Sequence, residues 1–405
     1  MTIAKVIDKK TKKVYYEKNC KQYINKNNIK WRKMKTYPKV IEDSLRVVDL
    51  SDPANGKHAI NLVVELIFEM LKSISGYPEP VICRSSPVTT VKENFDLLFV
   101  PPDNLSRSPI YTRYIDENTL LRTHTTAQIP SILKKIKKKS IEDLLVMCPG
   151  ICFRRDVIDR KHVGEPHQMD IWRIKKGKPK ITINDTSSLV KKLIDLIVPG
   201  TEFRANKVSH PYTDNGLEIE ILVNGEWLEI MECGEVKKEL FSSSDLDPDE
   251  YSGLAMGVGL DRLVMIKKQI NDIRLLRSEN PKIKEQMLNL DLYKNVSKFP
   301  AIKQDISISV DSNLTEEDLC EMSRDALGGD IKNLEELKIL SSTDLADLPP
   351  VAIERLGIKS GQKNVLIRLI FRSHEKTLAK EEANQMRERI YKALDQTESG
   401  GYIKK

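Results

Sequence analysis

Two alternating apolar runs, Leu217 to Val223 and Trp227 to Met231, stand on either side of Asn224-Gly225. Asn-Gly supplies the positive backbone angles that a two-residue hairpin needs, so the segment predicts adjacent antiparallel strands with no crossover. Two more strands are expected upstream, Leu97 to Val100 ending at Pro101-Pro102 and Met169 to Ile174 ending at Lys176-Gly177. Few helical patterns intervene after Ser209. An antiparallel sheet therefore fits better than a doubly wound parallel one. No GxxxxGK[ST] loop occurs, so any nucleotide would have to be held on another scaffold.

A chain of 405 residues exceeds what one hydrophobic core usually serves, and 40% hydrophobic content is enough for a major domain and a smaller one. Composition and turn signals divide it at 1–75, 76–290 and 291–405. The first part holds a basic arm from Lys9 to Lys35 and an amphipathic helix from about Ala59 to Ser73, where Leu62, Val63, Leu66, Ile67, Met70 and Leu71 recur at helical spacing. In the second, Lys134 to Lys139 form a basic block inside a helical pattern continuing through Ile141, Leu144 and Leu145. Such a block suits either a polyanion or a solvated face. The third part runs strand (Asp305 to Val310), helix (Thr315 to Ala326), strand (Leu334 to Leu340), strand (Val365 to Phe371), helix (Ala379 to Leu394). That order suggests a small ferredoxin-like α+β sandwich.

No apolar run approaches the ~18 residues of a membrane span, and the first residues lack a signal-peptide core, so a cytoplasmic address is expected. Six cysteines lie far apart, and Cys148 with Cys152 has no second pair to complete a zinc site; reduced, structural thiols are expected. A net charge of +7 permits nucleic-acid binding without demanding it.

Chemistry concentrates in two elements. In Gly253-Leu254-Ala255-Met256-Gly257-Val258-Gly259-Leu260-Asp261-Arg262, three glycines let a backbone approach a flat ligand or a packed helix, and Arg262 opens the helical stretch that follows. Alone, this reads first as a strand-to-helix joint with small residues for packing and an ordinary surface arginine. Upstream stand Cys152-Phe153-Arg154-Arg155-Asp156 and His167-Gln168-Met169-Asp170. Together the two elements resemble motifs 2 and 3 of class II aminoacyl-tRNA synthetases. The segments Ser86-Pro87-Val88-Thr89-Thr90, Leu121-Arg122-Thr123-His124-Thr125-Thr126-Ala127, Trp227-Leu228-Glu229 and Cys233-Gly234 follow the order found in phenylalanyl-tRNA synthetase catalytic subunits. The tail, with Lys298-Phe299-Pro300-Ala301 and Arg372-Ser373-His374-Glu375, is similar to the anticodon-binding domain of single-chain, organellar-type phenylalanyl enzymes. The fold implied is α+β: a class II antiparallel-sheet catalytic domain followed by a small ferredoxin-like sandwich.

The resemblance implies ATP and Mg²⁺ as cofactors, and an amino acid, phenylalanine first, and tRNA as partners, with no membrane and no second subunit strictly required. Arg154 would take the α-phosphate and the reacting carboxylate, and Arg262 would stack on adenine and reach the γ-phosphate. Asp156 would accept from the adenine amino group and Glu229 would hold Mg²⁺. His124, Thr126, Gln168 and Asp170 would surround the amino acid, Asp170 facing its ammonium group, and Ala255 would limit the far end of the ring pocket. Arg372 would meet tRNA phosphate. Taken singly, His124, His167, Asp170 and Glu229 also read as satisfied buried or strand-face polar residues.

The departures matter as much. His210-Pro211-Tyr212 stands where the family presents Phe-Pro-Phe, Glu232 where it keeps a small residue, Pro166 where a phenylalanine stacks on adenine, and Ile129 where a glutamine is expected. His210, Tyr212 and Glu232 would then line the amino-acid pocket. Three readings result: a phenylalanyl-type synthetase, a paralogue activating a more polar amino acid, or a non-catalytic tRNA-binding regulator. Retention of Arg154, Asp156 and Arg262 argues against the last.

Overall fold

The computed structural model describes residues 37–109, 111–223, 225–296 and 299–396. The basic arm from Lys9 to Lys35 lies outside them. The strands in chain order are β1 (Val81–Ile82), β2 (Val88–Thr90), β3 (Thr119–Leu121), β4 (Asp143–Ile151), β5 (His167–Lys176), β6 (Phe203–Lys207), β7 (Thr213–Val223), β8 (Glu226–Val236), β9 (Tyr251–Gly259), β10 (Ile302–Asp311), β11 (Leu334–Asp344) and β12 (Gln362–Phe371). They fall in two compact units. One comprises 1–154, 165–270 and 286–293; the other comprises 155–164, 271–285 and 294–405.

The larger unit is built on a seven-stranded sheet of order β1-β4-β5-β9-β8-β7-β6, in which β1 pairs parallel with β4 and every other pairing is antiparallel. The expected hairpin is β7 to β8, with Gly225 at φ 85° in its turn. The central strands are apolar on both faces. Val146, Cys148, Trp172 and Ala255 share a core with Ile129, Ile132, Leu133 and Ile136 of the helix Ile129–Lys139. Alternate residues, among them Met147, Ile171 and Met256, are buried too. Helices Ala59–Lys72, Ile183–Ile197 and Leu260–Lys268 pack on one another and on the sheet. The first is capped by His58 and Asn61, the second by Thr182 and Asp185, which satisfy backbone N–H groups otherwise orphaned at a helix start.

Two local expectations fail. Leu97 to Val100 forms no strand: Asp96–Leu98 is a single 3₁₀ turn ending at Phe99 with φ 57°, and the two prolines that follow have no N–H to give a ladder. The helix carrying the lysine block also stops early. Ser140 takes a left-handed conformation at φ 51°, and Leu144 and Leu145 belong to β4. A strand buried on both faces has the same unbroken apolar look as a helix, and periodicity does not separate them.

The second unit carries a three-stranded sheet of order β10-β12-β11, antiparallel throughout, with helices Glu316–Leu327 and Lys380–Leu394 packed against each other. Strands β10 and β11 flank β12, the split β-α-β arrangement, with three strands among the described residues. Its core includes Ile158, contributed from far upstream in the chain. Among the described residues no helix is long and apolar enough to cross a membrane.

Candidate active site

Register across the central strands sets the site. Opposed residues of neighbouring strands share a face, as do residues two apart on one strand. One row reads Cys148, Asp170, Gly257, Glu232; the next reads Val146, Trp172, Ala255, Gly234; a third carries Gly150, Gln168 and Gly259. Asp170 and Glu232 thus flank a glycine, and a Cβ added at Gly257 would meet nothing within 4 Å. The space between the two carboxylates is open.

Asp170 is buried. Its carboxylate accepts from Thr125 Oγ1 at 2.5 Å and from Trp172 Nε1 at 2.9 Å. Burial raises its pKa, and hydrogen bonds from Thr125, Trp172 and Thr126 oppose that rise. Tyr212 stacks on Trp172 at 6.0 Å and on His210 at 6.1 Å, and burial pushes its pKa up. His210 Nε2 lies 3.2 Å from Glu232 Oε2, with Nδ1 3.0 Å from Thr213 Oγ1. The contact with His210 holds the Glu232 carboxyl below its usual range against the effect of burial.

Arg154 is fixed by one hydrogen bond, from Nε to Thr123 O at 2.7 Å, and forms no ion pair among the described residues. Burial, and then the nearby Arg154 charge, push the His124 imidazole down to about 3, so it is neutral; its Nδ1 is buried without a hydrogen-bond partner among the described residues. Arg262, in the first turn of its helix, donates to Glu229 O at 2.9 Å and lies 3.2 Å from Glu229 Oε2. Gln168 Oε1 accepts weakly from Cys152 Sγ at 3.6 Å.

The structure thus gathers His124, Thr126, Arg154, Asp170, His210, Tyr212 and Glu232, with Gln168 and Ala255 on the same sheet face and Arg262 paired to Glu229. Asp156 and Arg372 belong to the other unit. There Asp156 accepts the Val157 N–H on its side chain, and its carbonyl accepts from Arg324. Arg372 pairs with the buried Glu335, which also meets Arg160 and Arg274, and donates to Phe299 O at 3.1 Å. His167 is structural: Nε2 accepts the Leu50 N–H and its own N–H donates to Asp261.

Sequence reasoning missed Thr125, the closest donor to Asp170, and Gln128. The Gln128 side chain is 5% exposed, and neither amide atom has a partner among the described residues. Its signal was present one position early: Ile129, where a glutamine was looked for, opens the helix with its side chain in the core. Arg122 was also overlooked as scaffold. Buried, it donates from Nε to Ile151 O at 2.7 Å, and a Cβ on Gly150 would fall 1.9 Å from its Nη2.

An acid anchored on the sheet, a cation just beyond β4 that forms no ion pair among the described residues, and a pair between Arg262 of the helix and Glu229 of β8 suit a zwitterion beside a polyphosphate. Comparison with known proteins agrees. The profile of the tRNA synthetases class II core domain (F) matches residues 49–287. The chloroplastic/mitochondrial phenylalanine–tRNA ligase of Arabidopsis thaliana is 28% identical over 82% of this chain and 75% of its own length. The mitochondrial phenylalanine–tRNA ligase of Saccharomyces cerevisiae is 26% identical over 92% and 93% respectively, and a probable mitochondrial one of Drosophila melanogaster 28% over 76% of each. With most of its larger unit matched by that profile, this chain belongs to the class II aminoacyl-tRNA synthetases and is an aminoacyl-tRNA ligase.

Proposed function

We propose that the protein activates phenylalanine with ATP and transfers it to tRNA without a second catalytic subunit. The observation that carries this reading is the pairing of a buried, hydrogen-bonded Asp170 with a neighbouring floor of Trp172, Ala255 and Gly234, over which Tyr212 stacks. An ammonium group binds the carboxylate and an aryl side chain lies along the apolar row. Arg154, which forms no ion pair among the described residues, draws the substrate carboxylate toward the α-phosphate, whose bond to pyrophosphate breaks as the new P–O bond forms. Arg262 steadies the departing phosphates and the adenine ring.

No cluster of three metal-ligating side chains exists among the described residues. Glu229 fits Mg²⁺ in the way that ion is usually held, through one carboxylate and the oxygens of substrate phosphates. When bound, Mg²⁺ supplies charge neutralisation at the phosphates. The smaller unit receives the anticodon stem, with Arg372 among its contacts. The relatives above are organellar by name; fractionation of tagged protein separates that address from the cytoplasmic one.

One observation favours a second reading. The Glu232–His210 pair places a carboxylate on the row of Asp170, and a bare phenyl ring gives it no donor. A paralogue activating a more polar amino acid would. Amino-acid-dependent pyrophosphate exchange across the common amino acids tests both. Exchange driven best by phenylalanine supports the first, exchange driven best by a side chain bearing a donor supports the second, and exchange with none refutes activation.

A further inference from the structure

Strand β1 ends one residue before Cys83. Its parallel register with β4, Val81 opposite Val146 and Ile82 opposite Met147, carries on so that Cys83 stands opposite Cys148, and the Cys83 N–H donates to Met147 O at 2.8 Å. Neighbouring strands lie about 4.8 Å apart, within the Cα separation of about 4.4 to 6.8 Å that a disulfide spans. Both thiols are free and packed in the same apolar cluster; Cys148 is buried and Cys83 only half-buried. Cys148 also stands opposite Asp170.

We propose that Cys83 and Cys148 are an oxidisable pair, with Cys83 the attacking thiol and Cys148 the resolving one, whose closure to a disulfide weakens amino-acid binding at Asp170. The oxidant class is a hydroperoxide. The Cys83 thiolate attacks the terminal peroxide oxygen; an S–O bond forms, the O–O bond breaks, and water or alcohol leaves. The Cys148 sulfur, giving up its proton, then attacks the Cys83 sulfur, the S–S bond forms and water leaves. The two thiols lose two electrons and the peroxide gains two.

The other described cysteines offer a contrast. The Cys83 thiol is lowered to about 6 by the hydrogen bond with Cys148, against the effect of burial, whereas burial pushes Cys152 up to about 11 and Cys233 and Cys320 to about 12. Reactivity follows the thiolate, so oxidation is directed to the one half-buried thiol with a partner opposite it.

The experiment treats the full-length enzyme with a small excess of hydrogen peroxide, blocks remaining thiols and maps peptides by mass spectrometry. A Cys83–Cys148 cross-link lacking two hydrogens is expected, with Cys320 still reduced. The KM for the amino acid in pyrophosphate exchange should rise about tenfold, since a misplacement of about 1 Å in a positioned group costs up to about a hundredfold. Dithiothreitol should reverse both. Cys83→Ser should abolish the cross-link and the loss of activity, and Cys148→Ser should leave Cys83 as a sulfenic acid trapped by dimedone. Absence of the cross-link in the wild type, or a cross-link that leaves KM unmoved, overturns the proposal. The mapping stands independently of the functional reading, on which only the KM measurement rests; an enzyme that exchanges pyrophosphate with no amino acid refutes that reading, and the cross-link still decides whether the pair exists.

Discussion

At the residue scale, Arg262 and His124 carry opposite lessons. Arg262 donates to Glu229 and lies at the start of its helix, outside the apolar core. Arg262→Ala should therefore fold normally, with unchanged circular dichroism and melting temperature, yet lose pyrophosphate exchange by a factor of about 100 or more, as expected when a preorganised charge is removed from a phosphate site. Exchange at the wild-type rate would remove it from the nucleotide site. His124 matters by being uncharged. Its folded pKa of about 3 lies below the value of about 6.5 for an unfolded histidine, so acid protonates the unfolded chain first. Its contribution to stability is present above about pH 6.5 and is lost as pH falls toward 3. Urea titrations of wild type and His124→Asn between pH 7 and pH 4 should differ in slope, the variant falling less steeply with acid.

At the scale of the element, the central strands turn a sequence motif into a cavity. Gly257 has no positive φ and no neighbour within 4 Å of a built Cβ, so it is there for space. Gly257→Ala should keep the wild-type melting temperature and raise the KM for the amino acid by about tenfold, because the methyl group enters the gap between Asp170 and Glu232. A KM that does not move would mean that the substrate does not use that gap. How much of this was legible follows from the same strands. The hairpin at Gly225 and the strand-to-helix joint at Gly259 could be read because turn chemistry and alternation are local. Arg154, Asp170 and Glu229 stood out only as members of ordered motifs, through the resemblance they carry. The row Cys148-Asp170-Gly257-Glu232 could not, because it is set by register between strands about 20 to 90 residues apart, which no local pattern encodes. Gln128 escaped for a related reason: a shift of one residue at a helix start exchanged a buried amide for an apolar core residue, and spacing alone could not say which faced inward.

At the scale of the whole molecule, the smaller unit is assembled from separate stretches of chain. The segment after Arg154 belongs to the smaller unit: Arg155 lies 3.9 Å from both Asp318 and Glu321 with its side chain 1% exposed, Ile158 sits in that unit's core, and the Leu337 N–H donates to Ile158 O. Breaking a buried ion pair by removing one partner costs about 3 to 5 kcal/mol, so Arg155→Ala should destabilise the smaller unit by an amount of that order, read as a shift in its urea midpoint. A midpoint within error of wild type would show that the pair's attraction only offsets the cost of burying it. Deleting residues from 297 onward is then no clean removal of a tail. It strips the partners from 155–164 and 271–285, so a soluble, active remnant requires those segments to be trimmed or repolarised as well.

The chain passes between the units at 154/155, 164/165, 270/271, 285/286 and 293/294. A break at the last of these leaves two fragments, and the longer one still carries two pieces of the smaller unit, one of them bringing Ile158 to its core, ready to template the remainder. Residues 1–293 and 294–405 expressed as separate polypeptides should therefore reassemble, so that continuity of the backbone at that point is dispensable while the complementarity of the severed surfaces is not.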